Sequence, residues 1–282
     1  MAISISKLRL GESMRKEGEV MRVWDEASEA WTSFVREGKD YYRDELNNPA
    51  TFKLIGKITG KRVLDLACGE GYNTRILAKK AATVTGVDFS ETMIETARKK
   101  EAEQKLGITY IVSDVADLKD LPSSSFDLVT CFMSMQDIEH LEDAVSEVAR
   151  VLKNDGRFIF SIPHPCFEQI VKDTKAWRWI NKSAAKTQEE TELEKGEYFN
   201  NVKYEILWTM ERLTQPFKTI SFHRTITDYS KALFQNGFHI SRLVEPKPTM
   251  EAVSKHPPLG EVLKTPQSMI FEAVKTKDGK RP

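Results

Sequence analysis

The sequence predicts an α/β protein built on a doubly wound, Rossmann-like sheet. Three observations carry this. Val63, Leu64 and Leu66 form a short apolar run, which suits a buried parallel strand. The run ends in Ala67-Cys68-Gly69-Glu70-Gly71, a loop of small residues that lets a ligand approach the backbone, and a helical stretch Tyr72–Lys80 follows. A second strand, Thr83–Val87, then ends on Asp88. Strand, glycine loop, helix, strand and acid form the nucleotide-binding half of such a sheet. The helix start offers backbone N–H groups to the ligand, and the acid can accept both hydroxyls of a ribose.

The other elements follow in order. Residues 1–17 read as a loosely held arm. Glu19–Glu37 is an amphipathic helix with Val20, Trp24, Ala27, Trp31 and Phe34 on one face, and Gly38 stops it. Asn48-Pro49 starts a further helix, Ala50–Ile58. After Asp88, Ser90 caps a helix over Glu91–Leu106, which Gly107 breaks. Ile108–Val112 is the third strand and Phe126–Met133 the fourth. A helix over Leu141–Lys153 ends at Asn154-Asp155-Gly156, and Arg157–Ile162 is the fifth strand. Val202, Tyr204, Ile206, Trp208 and Met210 alternate with mostly polar neighbours, as in a half-buried strand with a hairpin partner at Phe217–His223. Thr227 caps a helix over Asp228–Gln235; Phe238–Glu245 and Ser268–Lys275 are strands, with a Pro-rich loop at Glu245–Pro258.

The string Asp65-Leu66-Ala67-Cys68-Gly69-Glu70-Gly71 resembles motif I of the class I S-adenosylmethionine (SAM)-dependent methyltransferases, D-x-G-x-G-x-G, with Ala67 at the first glycine. The strand-four FDLV, with the later EVARVLKNDGRF, resembles the small-molecule, ubiquinone/menaquinone-biosynthesis branch. The resemblance covers about residues 20–275 and is weakest over 167–222. It implies a seven-stranded sheet of order 3-2-1-4-5-7-6 with the last strand antiparallel. It also implies an arm and helical lid over 1–60, a SAM-binding core over 61–166 and 223–282, and a substrate cap with a β-hairpin inserted at 167–222.

The same resemblance places the cofactor against Asp65, Cys68, Gly69, Gly71, Asp88, Phe89, Met93, Asp114, Val115 and Phe132. Asp114 would accept the adenine amino group, and Tyr42 and Arg43 would reach the methionine end, where a guanidinium can pair with a carboxylate. The bland alternatives are a helix cap for Asp114 and a solvated helix end for Tyr42-Arg43.

Composition narrows the partners. Lys+Arg and Asp+Glu both total 42 in 282 residues, so the formal net charge is zero. That argues against duplex nucleic acid or an anionic membrane as a broadly recognised partner. The three cysteines lie far apart without metal spacing, which fits a reducing cytoplasm, and no metal is expected. No apolar run is long enough for a membrane span and no signal-peptide core is visible. A cytoplasmic monomer or homodimer is expected.

The sulfonium methyl is already activated, so catalysis needs mainly in-line placement of the nucleophile at ~3–3.5 Å and exclusion of water. A base is needed only if the acceptor must lose a proton. His164, between two prolines after strand five, ranks first, then His140, then His223. The expected function is methyl transfer from SAM, leaving S-adenosylhomocysteine, to an O or N of a small apolar or aromatic acceptor. That acceptor would be held under the Phe167–His223 insertion, which carries Trp177, Trp179, Tyr198, Phe199, Tyr204 and Trp208. Three alternatives stay open: a methyltransferase acting on a macromolecule, a SAM-binding regulatory protein without turnover, and an NAD-type oxidoreductase. The last is weakened by Thr74 at the third position of the G-x-G-x-x-G pattern and by the lack of a Tyr-x-x-x-Lys pair.

Overall fold

The computed structural model describes residues 2–7, 18–167, 198–209 and 216–277. In chain order the regular elements are β1 (Ala2–Lys7), α1 (Glu19–Arg36), α2 (Asn48–Ile55), β2 (Arg62–Leu66), α3 (Tyr72–Lys79) and β3 (Thr83–Asp88). They continue with α4 (Glu91–Gln104), β4 (Thr109–Val112), β5 (Phe126–Phe132), α5 (Leu141–Val151) and β6 (Leu152–Pro163). The last are β7 (Val202–Thr209), β8 (Phe217–His223), α6 (Ile226–Gln235), β9 (Phe238–Val244), α7 (Met250–Lys255) and β10 (Ser268–Lys275).

The main sheet has seven strands in the order β4-β3-β2-β5-β6-β10-β9. β2, β3, β4, β5 and β6 run parallel, and β10 is antiparallel to β9. This is the order the sequence predicts. It follows from the burial pattern: Val63, Leu64 and Leu66 are fully buried, as a central strand covered on both faces requires. β2 pairs with β3 on one side and β5 on the other, so Leu66 faces Val87 and Cys131 in register. Leu54, Ile55, Ile58, Leu77, Val84, Leu128, Ile159 and Ile270 close one core cluster around Val63. On α5, Leu141, Val145, Val148 and Val151 form the buried stripe.

The described residues fall into two compact units. One comprises Pro49–Ile162, Thr227–Val244 and Ile270–Pro282 and holds most of the parallel sheet. The other comprises Met1–Asn48, Pro163–Ile226 and Glu245–Met269. In this second unit the residues read as a loose arm differ from expectation: Ala2–Lys7 is a strand, paired antiparallel with β7 from Ala2↔Thr209 to Lys7↔Tyr204. Ile3 and Ile5 alternate with Ser4 and Ser6, a short strand pattern that the reading as an arm passed over. β7 and β8 form the expected hairpin, from Val202↔His223 to Trp208↔Phe217. The tryptophan face of α1 lies on that hairpin. Trp31 stacks edge-on against Trp208 at 5.7 Å and Phe217 at 6.3 Å, and Trp24 stacks edge-on against Trp31 at 5.7 Å. Tyr204 is fully buried. The Pro-rich stretch read as a loop carries α7, with Thr249 Oγ1 accepting the Ala252 N–H as its cap, and a 3₁₀ turn at Pro257–Leu263. Trp177, Trp179 and Met210 lie outside the described residues.

Strand β3 contains Gly86 for a steric reason. A Cβ there would lie 2.9 Å from the Tyr110 ring and 3.0 Å from Cys68 Sγ. Gly86→Ala should therefore cost about 1–3 kcal/mol through overpacking. Urea unfolding should show a lower midpoint at an unchanged slope.

Candidate functional site

The parallel sheet sets the place. Ligands of open α/β sheets bind outside the carboxyl ends of the strands, where the strand order reverses. Here that switch lies between β2 and β5.

The loop after β2 is held from below and behind. Asp65 is buried on β2, at 1% exposure. Its Oδ2 accepts the Thr74 hydroxyl at 2.7 Å and its Oδ1 the Thr130 hydroxyl at 2.8 Å. Thus one carboxyl ties the start of α3 and the middle of β5 to β2. Thr74 occupies the position of a third glycine and is itself fully buried. Burial pushes the Asp65 carboxyl up to about 7; the two hydroxyls oppose this and the nearby Asp88 adds to it. Glu70 and Arg75 form a second buried tie. Arg75 Nη2 donates to both Glu70 carboxylate oxygens at 3.0 and 3.1 Å, and Arg75 Nη1 to the Glu70 carbonyl at 2.6 Å.

The loop backbone explains the motif. Ala67, Gly69 and Gly71 all have positive φ, at 48°, 55° and 81°. Left-handed backbone favours glycine, so Ala67 carries strain at the first position. A Cβ on Gly71 would run into Tyr110, 2.8 Å from Cζ, whereas a Cβ on Gly69 would meet nothing within 4 Å. Gly71 is therefore required by packing, while Gly69 has open space beside it.

Asp88 ends β3 and is buried. Its Oδ2 accepts the Gly69 N–H at 2.8 Å and its Oδ1 the Ser90 N–H at 3.0 Å. The glycine loop and the start of α4 thus orient one carboxylate. Ser90 caps α4 by accepting the Met93 N–H at 3.2 Å, and Met93 is buried while Phe89 is half-buried. Burial, with Asp88 and Asp65 close by, pushes the Cys68 thiol well up, so it stays neutral. Asp114, past β4, is exposed and its Oδ1 accepts the Ala116 N–H at 2.8 Å, the capping geometry weighed as its bland alternative. Val115 beside it is buried. Phe132 ends β5 and packs on Phe52 at 5.4 Å. So Asp65, Cys68, Gly69, Gly71, Asp88, Phe89, Met93, Asp114, Val115 and Phe132 lie along neighbouring strand ends of one unit.

The remaining predicted residues are placed differently. His140 precedes α5 and is exposed. In the other unit, Arg43 Nε and Nη2 grip the Asp44 carboxylate at 2.8 and 3.0 Å, and Nη2 also donates to the Val35 carbonyl at 3.1 Å. The Arg43 side chain is only 11% exposed, which corrects the alternative of a solvated helix end. Tyr42 stacks on Tyr41 at 4.7 Å, and burial raises its hydroxyl. His164 is buried, at 3% exposure. Its Nδ1 accepts the Cys166 N–H at 3.3 Å, so Nε2 carries the proton and donates to Glu245 at 2.9 Å. So arranged, the ring offers no lone pair to an acceptor, which corrects its ranking as the first candidate base. His223 is buried at the end of β8 with Nε2 3.0 Å from the Tyr198 carbonyl. Sequence reasoning passed over Gln136 and Thr130 and read Thr74 only as a missing third glycine; the two threonines could have been found as hydroxyls in the first turn of α3 and one strand across from the motif acid. Among the described residues, no group of three or more His, Cys, Asp or Glu side chains could hold a metal ion.

A Rossmann-like sheet with this loop and this acid defines a nucleotide-binding unit. Its type is given by comparison. Residues 64–160 match the family described as "Methyltransferase domain". The chain is 36% identical over 120 residues to a ubiquinone biosynthesis O-methyltransferase of Coxiella burnetii, covering 41% of this chain and 50% of that protein. It is 32% identical over 155 residues to a demethylmenaquinone methyltransferase of Clavibacter sepedonicus, covering 53% and 61%. A structure titled a putative S-adenosylmethionine dependent methyltransferase from Listeria monocytogenes superposes with a TM-score of 0.62 at 25% identity, covering 82% of this chain and 97% of that one. Over residues 64–160 the chain is thus similar to SAM-dependent methyltransferases. It spans about half the length of the ubiquinone relative it matches.

Two outcomes test this geometry. Because the folded-state pKa of Asp65 is raised, the native protein holds its proton more tightly than the unfolded chain, whose Asp titrates near 3.9. Stability should fall as pH rises from about 4 to about 7, by at most ~4 kcal/mol, and level off above that. Asp65→Asn should lack this slope in urea titrations across that range. Ala67→Gly should relieve the left-handed strain and stabilise by about 1 kcal/mol, read as a higher urea midpoint.

Proposed function

We propose that this chain transfers a methyl group from SAM to an oxygen or nitrogen of a small acceptor. The observation that carries the reading is Asp88, oriented by the Gly69 and Ser90 N–H groups beside a glycine position that has open space. A carboxylate accepts up to about four hydrogen bonds, so a vicinal diol can join these two. Ribose is the diol that this layout selects. Buried Thr74, committed to Asp65, stands where a dinucleotide site needs its third glycine, which weighs against an NAD enzyme.

When bound, SAM supplies an electrophilic methyl: the acceptor's lone pair forms the new bond to carbon, the carbon–sulfur bond breaks, its electron pair stays on sulfur, and the acceptor's proton passes to water. The chain's own residues bind and orient. Asp88 holds the ribose, Asp114 accepts the adenine amino group, and Val115 and Met93 supply apolar contact for the base. The Asp65 and Glu70–Arg75 ties keep the loop rigid, so the geometry is set before the ligand arrives. A small acceptor is supported by the quinone-biosynthesis names of two relatives. No helix among the described residues is long and apolar enough to cross a membrane.

Asp88→Ala deletes a charged acceptor and should weaken S-adenosylhomocysteine binding by about 1.5–3 kcal/mol, or roughly 10- to 100-fold, in isothermal titration. Tight NADH binding with no S-adenosylhomocysteine signal would overturn the proposal.

A further inference from the structure

At the other lip of the switch point, β5 ends in an irregular turn. Met133 has φ of 50°, a left-handed conformation that costs a non-glycine residue energy. The turn is fastened there: the Ser161 hydroxyl accepts the Met133 N–H at 3.0 Å, and the Ser134 hydroxyl donates to the Phe132 carbonyl at 3.0 Å. A short 3₁₀ segment, Met135–Asp137, follows. Within it Gln136 is 8% exposed. Its Nε2 donates to the Met133 carbonyl at 2.6 Å and lies 3.2 Å from Asp137 Oδ2. Those two acceptors fix the amide: turning it over would set oxygen against oxygen. Its Oε1 is then buried and has no hydrogen-bond partner among the described residues.

A buried carbonyl oxygen without a donor costs about 1–3 kcal/mol, and native proteins keep few of them. The left-handed backbone at Met133 is a separate cost in the same turn. Both features sit at the carboxyl end of β5, the strand beside the glycine-loop strand, where chemistry in this fold is placed. We propose that Gln136 Oε1 receives the N–H or O–H of the acceptor's nucleophilic atom, and so positions that atom for methyl transfer. The inference rests on the reading of the chain as a SAM-dependent methyltransferase and narrows its substrates. The nucleophile must keep a hydrogen to donate, as a hydroxyl or a primary or secondary amine does; a tertiary amine or a thioether does not. An amide takes no proton, so Gln136 is a positioning residue and not a base.

The test needs no acceptor. Sinefungin carries an amine where SAM carries its transferable methyl, whereas S-adenosylhomocysteine carries nothing there. Isothermal titration of both ligands into the full chain and into Gln136→Met and Gln136→Asn compares the two positions directly. Methionine removes the oxygen at similar volume; asparagine keeps the amide but withdraws it by one methylene. Both variants should bind S-adenosylhomocysteine within about twofold of the parent chain and lose sinefungin affinity about tenfold or more, as expected for a hydrogen bond to a charged donor. Equal losses for both ligands, or no loss for either, would overturn the role of Gln136 while leaving the methyltransferase reading intact. A parent chain that binds neither ligand would overturn that reading itself. Circular dichroism on each variant separates a folding defect, and if Gln136→Met fails to fold, Gln136→Asn decides.

Discussion

The Asp65 carboxyl is the point on which the nucleotide unit depends. It is buried on the central strand and accepts two hydroxyls from opposite sides, Thr74 on α3 and Thr130 on β5. A lone buried carboxylate is costly, which is why its proton is held more firmly than in water. The two threonines offset part of that cost. Their reach also fixes how α3 meets β2, and with it the glycine loop between them. Asp88 then works from that fixed loop, since one of its oxygens is oriented by the Gly69 N–H. The chain of dependence runs from a buried acid, to a loop, to the acid that ends β3.

Much of this could be read from sequence because it is local. The elements follow from apolar runs, capping residues and glycines spaced as a doubly wound unit requires, and their order in the sheet is what the family resemblance implies. Ser90 caps its helix through a contact three residues on, as read from the sequence, whereas Thr249 makes the same contact in a stretch read as a loop. What could not be read depends on partners far along the chain. Ile3 and Ile5 alternate with Ser4 and Ser6, a strand pattern too short to name its partner, and the partner is the edge of β7 about two hundred residues later. The Arg43 guanidinium looked available because nothing nearby in the pattern marks Val35 O as its neighbour across the turn.

The aromatic residues show the same limit in another form. Trp24 and Trp31 read as the apolar face of an amphipathic helix belonging to a lid. Trp31 meets Trp208 and Phe217, and Trp24 packs edge-on against Trp31, so both are half-buried within their own unit. A stripe at helical spacing says that a face will be buried, not against what. The hairpin's alternation likewise fixed which side of β7 turns inward, and Tyr204 is the residue it buries most completely.

The histidines bring the chemistry into focus by what they lack. His164 spends both ring nitrogens on Cys166 and Glu245, His223 lies against the Tyr198 carbonyl, and His140 faces solvent. A base would have to be a group with an available lone pair at the site. Methyl transfer from a sulfonium does not demand one when the nucleophile is already a good donor of its lone pair; it demands alignment. The strand ends supply groups suited to that demand. Asp88 is fixed by two backbone N–H groups, and Gln136 is fixed by its own amide nitrogen with its oxygen left open. Neither group moves a proton at neutral pH by necessity of the reaction, and both constrain direction. On the proposed reading, in which oriented acceptors and no imidazole do the work, any ionisation seen in the methyl-transfer rate near pH 7 should be that of Asp65 and be absent from Asp65→Asn.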